Sequence, residues 1–324
     1  YGILFSNDMW KFHPERPEGY PDDLMLYRNE TPIQSIIDQS DLTKDITDES
    51  IRFIEENKDN QFFLYIAHPQ PHVPLFASKD FNGSTGNGLF ADVISEIDFS
   101  VGRVIEALEK NNLTENTIVV FTSDNGPWLS YGDHAGSSGI YREGKGTAWE
   151  GGQRVPCIIK YPSEIKAKTI IDEPVMGIDW MPTFSHITGS KLSDNKIDGK
   201  NIWPLLTQKE DKSPHKELYF YYRQNELHAV RSGNWKLYFP RSYRTLNGKP
   251  GGKDGMPVKY EYNEVKSNEL YNLKEDPSEM KNVYMENIEK AKELEKMGEN
   301  ARQELGDALT SRIGDGVRKI GTID

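Results

Sequence analysis

The stretch FADVISEIDFSVGRVIEALEKNNLTENTIVVFTSDNG, residues 90–126, decides the fold. Val93, Ile97, Val101, Val104, Ile105 and Leu108 recur at three- and four-residue steps, the spacing that lines one face of a helix with apolar side chains. The run Ile118–Val119–Val120–Phe121 that follows is short and unbroken, as in a strand buried on both faces. It stops abruptly at Ser123-Asp124-Asn125-Gly126. The same order occurs upstream, where TDESIRFIEENKD (47–59), with Ile51, Phe53 and Ile54 toward one side, leads into the apolar run QFFLYIAH (61–68). A third run, VPCIIKYP (155–162), and a helix near IDWMPTFSHITG (178–189) continue it. Alternating helices and buried strands predict an α/β fold, with a large, mainly parallel sheet flanked by helices.

From residue 213 the texture changes. ELYFYYRQ, LHAVRSGNWKLYFP and NELYNLKEDP alternate apolar with polar, the habit of an antiparallel sheet with one wet face. A helix is expected over 283–305, with Ile288, Ala291, Leu294 and Met297 in a stripe. Two domains are therefore expected, 1–212 and 213–324, the second a smaller α+β unit. Residues 1–34 show no period and read as an irregular surface excursion.

Composition narrows the function. The chain has 324 residues, 28% charged and 36% hydrophobic, and no apolar run approaches the roughly 20 residues of a membrane span. A net charge of -12 argues against a general nucleic-acid binder, which needs a surplus of Lys and Arg. The single cysteine, Cys157, excludes an internal disulfide and a Cys-rich metal site, and its apolar neighbours predict a small buried residue. Sequons at Asn29, Asn82 and Asn112 are too loose a pattern to carry weight.

In open α/β sheets, ligands gather beyond the carboxyl ends of the strands. One strand end here carries HPQPHVP, with His68 and His72; the other carries SDNG, with Asp124 and Asn125. Carboxylate beside amide offers hard oxygen to Ca²⁺ or Mg²⁺, and equally makes an Asx turn. His72 can serve catalysis or bond to backbone. Lys145, among glycines in GKGTAWEGGQRVP after the His134 loop YGDHAGSSG, is either an oxyanion-binding point charge or part of a solvated loop.

Together YGILFSNDM, FFLYIAHPQPHVPLFAS, DFSVGRVIEALEKNNLTENTIVVFTSDNGPW, REGKGTAWEGGQRVPCIIKYP and ELYNLKEDPSEMKNV resemble the type I sulfatases of the alkaline phosphatase superfamily, in order and over nearly the whole chain. The resemblance implies an alkaline-phosphatase-like fold and hydrolysis of a sulfate monoester, on a sulfated carbohydrate or an aryl sulfate. It implies that Asp124 and Asn125 ligate Ca²⁺, rather than Mg²⁺, and that Asp124 lies beside the nucleophile. Lys145 would bind a sulfate oxygen, His72 would touch the ester and assist departure of the alcohol, and His134 would contact substrate. His68 would orient its loop.

The family's nucleophile is a formylglycine made from a C/S-x-P-S-R motif, preceded by an Asp-Asp metal pair. Neither motif occurs here: Cys157 is followed by Ile158-Ile159-Lys160, and Asp22-Asp23 in GYPDDLML follows no apolar strand and reads as a turn. The sequence is thus expected to be the C-terminal two-thirds of a sulfatase, inactive alone, with the other segment as a possible partner chain. The resemblance also implies export to periplasm, lysosome or medium. A phosphate or phosphonate ester hydrolase and a non-catalytic glycan-binding remnant are the rival readings.

Overall fold

The computed structural model describes residues 1–3, 18–19 and 23–317. The chain forms two compact units. The first comprises residues 1–119, 128–137 and 248–259, and the second residues 120–127, 138–247 and 260–324.

In the first unit, β1 (Gly2–Ile3), β2 (Leu24–Arg28) and β3 (Thr31–Ile36) form an antiparallel sheet in the order β1-β2-β3. The irregular excursion expected over 1–34 is therefore partly a sheet. Its hairpin turns at Asn29, φ 54°, where asparagine tolerates the left-handed region. The Asp22 turn lies outside the described residues. Helix α1 (Leu42–Asn57) starts five residues before the expected 47, and α2 (Leu89–Lys110) follows. Ile54, Ala107 and Leu108 are buried together, with Ile51, Phe62, Leu64, Val104 and Val119 packed on them.

QFFLYIAH forms no strand. Its backbone runs between elements with Phe62 and Leu64 half-buried against the two helices, while Phe63 and Tyr65 are 74% and 80% exposed. The expectation of burial on both faces fails because only one face meets the helices.

In the second unit, β4 (Val119–Thr122) pairs with β5 (Cys157–Lys160), and between them lies the short helix α3 (Glu150–Gln153). Cys157 is exposed, contrary to the buried role expected, because the outer residues of this two-stranded ladder are open. Helices α4 (Trp180–Thr188) and α5 (Trp203–Leu206) lead to the antiparallel part. There β6 (Leu218–Tyr222), β7 (Glu226–Ser232), β8 (Trp235–Tyr238), β9 (Arg241–Thr245), β10 (Glu261–Val265) and β11 (Glu269–Asn272) make a four-stranded sheet, β11-β8-β7-β6, and a β9–β10 pair.

Helix α6 (Ile288–Leu305) buries Ala291, Leu294 and Ala301 against Leu227, Val230, Leu237 and Leu270. Each full burial of a leucine contributes about 1.5–3 kcal/mol. The helix begins five residues later than the expected 283; Val283 instead donates its N–H to the Leu270 carbonyl.

Candidate functional site

The loop after β4 is built on backbone. Gly126 N–H donates to the Gly152 carbonyl at 3.1 Å, and Lys145 N–H donates to the Pro127 carbonyl at 2.8 Å. A Cβ at Gly126 would land on the Gly151 carbonyl, so only glycine permits this approach. The SDNG turn is thus laced to the GKGTAWEGG segment, which carries Lys145.

Asp124 is exposed and Asn125 half-buried. Lys145 is half-buried, and burial holds its ammonium below the ordinary lysine pKa; the Asp124 charge opposes that shift and the Arg244 charge adds to it. Asp124 and Lys145 therefore feel one another, and with Asn125 they occupy one unit.

Beneath this segment lies a buried charged network. Arg142 stacks on Trp149, 3.7 Å from its ring centroid, and donates to the Glu279 carbonyl (2.9 Å) and the Tyr243 hydroxyl (3.0 Å). Lys236 Nζ donates to the Ala148 carbonyl and to Glu150, both at 2.7 Å. Glu279 accepts the Glu150 N–H at 2.8 Å and the Tyr238 hydroxyl. Burial pushes the Glu279 carboxyl up, although Lys236 pulls it down; burial also acts on Glu150, but its pKa lies low because Lys236 and Arg231 hold it ionised.

His72 and His134 belong to the other unit. In the HPQPHVP loop, Gln70 is buried and staples the turn: its Nε2 donates to the Pro74 carbonyl (3.2 Å), and its Oε1 accepts the Phe76 N–H (3.3 Å). Val73, Leu75 and Ala77 then pack with Val93, Ile97, Tyr131 and Ala135. His72 Nδ1 lies 2.7 Å from the Val73 carbonyl, an oxygen that can only accept, so Nδ1 carries a proton. The His72 ring meets Trp128 at 5.6 Å, and Trp128 meets Tyr131 at 4.9 Å, on the turn Leu129–His134.

His134 Nδ1 is buried with no hydrogen-bond partner among the described residues. The 248–259 segment docks beside it: Gly252 and Val258 donate to the Ser130 carbonyl (2.8 and 3.0 Å), and Asp254 N–H to Asp133 (3.1 Å). His68 Nε2 lies 3.5 Å from Ser100 Oγ, which is 2.6 Å from Thr47 Oγ1, and burial lowers the His68 pKa. That ties its loop to α1 and α2. Sequence reasoning missed Gln70, although a glutamine between two prolines was a signal, and it missed Arg244, for which there was none.

Among the described residues no group of three or more His, Cys, Asp and Glu side chains could hold a metal, so Asp124 and Asn125 are at most part of a ligand set. Their donors fit a hard cation in kind. No helix among those residues is long and apolar enough to cross a membrane.

A carboxylate–amide pair follows strand β4, and main-chain bonds lace it to the segment that carries a half-buried lysine. The comparisons with known proteins give that arrangement a family. Residues 8–190 match the Sulfatase family and residues 213–313 match the C-terminal region of aryl-sulfatase. The chain belongs to the sulfatase family.

It is 37% identical to the steryl-sulfatase of Homo sapiens over 247 residues, 72% of this chain and 42% of that protein. The PsFucS1 sulfatase from Pseudoalteromonas sp. superposes with a TM-score of 0.74 at 25% identity, over 87% of this chain and 58% of that one. Ps i-CgsB, solved in complex with k-i-k-neocarrahexaose, gives 0.70 at 27%, over 93% and 62%. The fold is thus the alkaline-phosphatase-like α/β fold of sulfatases, with antiparallel sheets in the C-terminal part. The chain spans less than half the length of the curated relatives it matches.

Proposed function

We propose that a protein carrying this sequence hydrolyses sulfate monoesters. The observation that carries the reading is the main-chain lacing of the Asp124-Asn125 turn to the Lys145 segment in a sulfatase-family chain. Lys145 supplies a fixed point charge to a sulfate oxygen, where preorganised charge counts most. Asp124 and Asn125 supply two oxygens to Ca²⁺, whose loose coordination of about six to eight oxygens accepts ligands from separate segments more readily than the strict octahedron of Mg²⁺. When bound, such a cation would offset negative charge developing on the ester oxygens.

His72 delivers the proton to the departing alcohol. With Nδ1–H committed to the Val73 carbonyl, Nε2 is the ring atom that exchanges the proton. The orphaned Nδ1 of His134 supports a substrate contact. Cys157 lacks the C/S-x-P-S-R context of a formylglycine, so this sequence supplies no residue for that group. The matched ranges support a division into 1–212 and 213–324. The steryl-sulfatase relative supports a non-sugar alcohol sulfate, and the neocarrahexaose complex supports a sulfated glycan.

The test joins this sequence to a segment bearing C/S-x-P-S-R and assays 4-nitrophenyl sulfate and 4-nitrophenyl phosphate in parallel. Sulfate should be the faster substrate, and His72→Ala should lower its turnover roughly 10²-fold. Faster phosphate cleavage would transfer the protein to the phosphate ester hydrolases, and Ca²⁺ binding without turnover would make it a binding remnant.

A further inference from the structure

Lys145 is useful to an anion only if its backbone is held. We propose that Arg244, on β9, is the positioning residue for Lys145. Its Nε donates to the Lys145 carbonyl at 3.0 Å, and its Nη2 donates to the same oxygen. The guanidinium is itself steadied over the Tyr260 ring, 4.6 Å from the centroid. Gly146 sits at φ +86°, and a Cβ there would fall on the guanidinium, so the glycine makes room for the clamp.

Flanking contacts repeat the arrangement. Thr245 Oγ1 donates to Glu143 at 2.6 Å, and Tyr243 accepts from Arg142 at 3.0 Å. Three consecutive residues of one C-terminal strand thus bond Arg142, Glu143 and Lys145 of a single short segment. A fork with two donors on one oxygen fixes direction as well as distance, which a single lysine donor does not.

The proposal rests on the reading of Lys145 as an anion-binding residue, and its test separates the two. The 324-residue chain, Arg244→Gln and Arg244→Lys are compared in three measurements. Limited trypsin digestion reads opening of the Lys145–Gly146 bond, whose carbonyl Arg244 holds. Loss of the fork should speed cleavage there about tenfold in Arg244→Gln, at an unchanged melting temperature. The inorganic sulfate concentration that half-protects Lys145 from acetic anhydride should rise several-fold in Arg244→Gln and fall back in part in Arg244→Lys, which still offers the carbonyl one charged donor. A merely structural residue would not produce that restoration.

Cleavage and half-protecting sulfate concentration both unchanged in Arg244→Gln would overturn the proposal; should that variant fail to fold, an Arg244→Lys chain with wild-type cleavage would do so. Inorganic sulfate should protect Lys145 of the unaltered chain from labelling. Failure of protection alone would remove the anion-binding reading and leave the clamp standing.

Discussion

Lys236→Met tests whether the buried network supports the Lys145 segment. Lys236 is fully buried, and its ammonium bonds Glu150 and the Ala148 carbonyl at 2.7 Å each. Methionine keeps the stem but strands the Glu150 carboxylate, for which Arg231 at 3.4 Å and Arg154 at 4.0 Å remain. Breaking a buried pair from one side costs about 3–5 kcal/mol, and the two remaining arginines place this case near the lower end, at about 3–4 kcal/mol. For a unit of about 150–250 residues each kcal/mol moves the melting temperature by about 2–4 °C, so a fall of roughly 6–16 °C is expected. Calorimetry of the wild type, Lys236→Met and the double variant with Glu150→Gln provides the assay. The double variant should recover part of the loss, because the Glu150 carboxylate is no longer stranded. A single-variant fall below about 2 °C would refute the account.

Burial raises the Glu279 pKa above its ordinary 4.5, so the folded state holds this proton longer than the unfolded one, and stability attributable to the group falls as pH rises through that window. Melting temperatures of wild type and Glu279→Gln should therefore diverge in favour of the variant from about pH 4.5 upward; a constant difference would contradict the sign. Gly126→Ala forces a methyl group onto the Gly151 carbonyl and should cost about 1–3 kcal/mol in urea unfolding, whereas a neutral result would mean the lacing is loose. Cys157 is exposed, so a thiol reagent should titrate one thiol per chain without denaturant, and a masked thiol would contradict the open β4–β5 ladder.

What was legible in the sequence followed from periodicity. Val93, Ile97 and Leu108 announced α2, the apolar run into Ser-Asp-Asn-Gly announced β4 and its loop but not its exposure, Phe121 being 37% exposed, and alternation announced the C-terminal antiparallel sheet. Where burial is one-sided the same rule misled: Phe62 and Leu64 pack while Phe63 and Tyr65 face outward, and nothing in a run of apolar letters distinguishes that from a doubly buried strand. The sheet of β1 to β3 escaped notice because Thr31–Ile36 is mostly exposed and contains Pro32, so it lacks an apolar period. Asp124 and Asn125 were visible as a polar interruption at the end of β4, His72 as an imidazole in a proline-stiffened loop and Lys145 as a charge among glycines. Arg244 was invisible, since its partner lies 99 residues earlier and the bonded atom is a main-chain oxygen, which leaves no mark on side-chain identity.

That last point reaches beyond one arginine. The ties from Gly126 to Gly152 and from Pro127 to Lys145 run backbone to backbone, so the main-chain spacing between the acid-amide turn and the lysine position leaves no mark on side-chain identity either. Designers could therefore rewrite other side chains around this scaffold to suit a different ester while keeping its main-chain frame, provided the glycines and Arg244 stay.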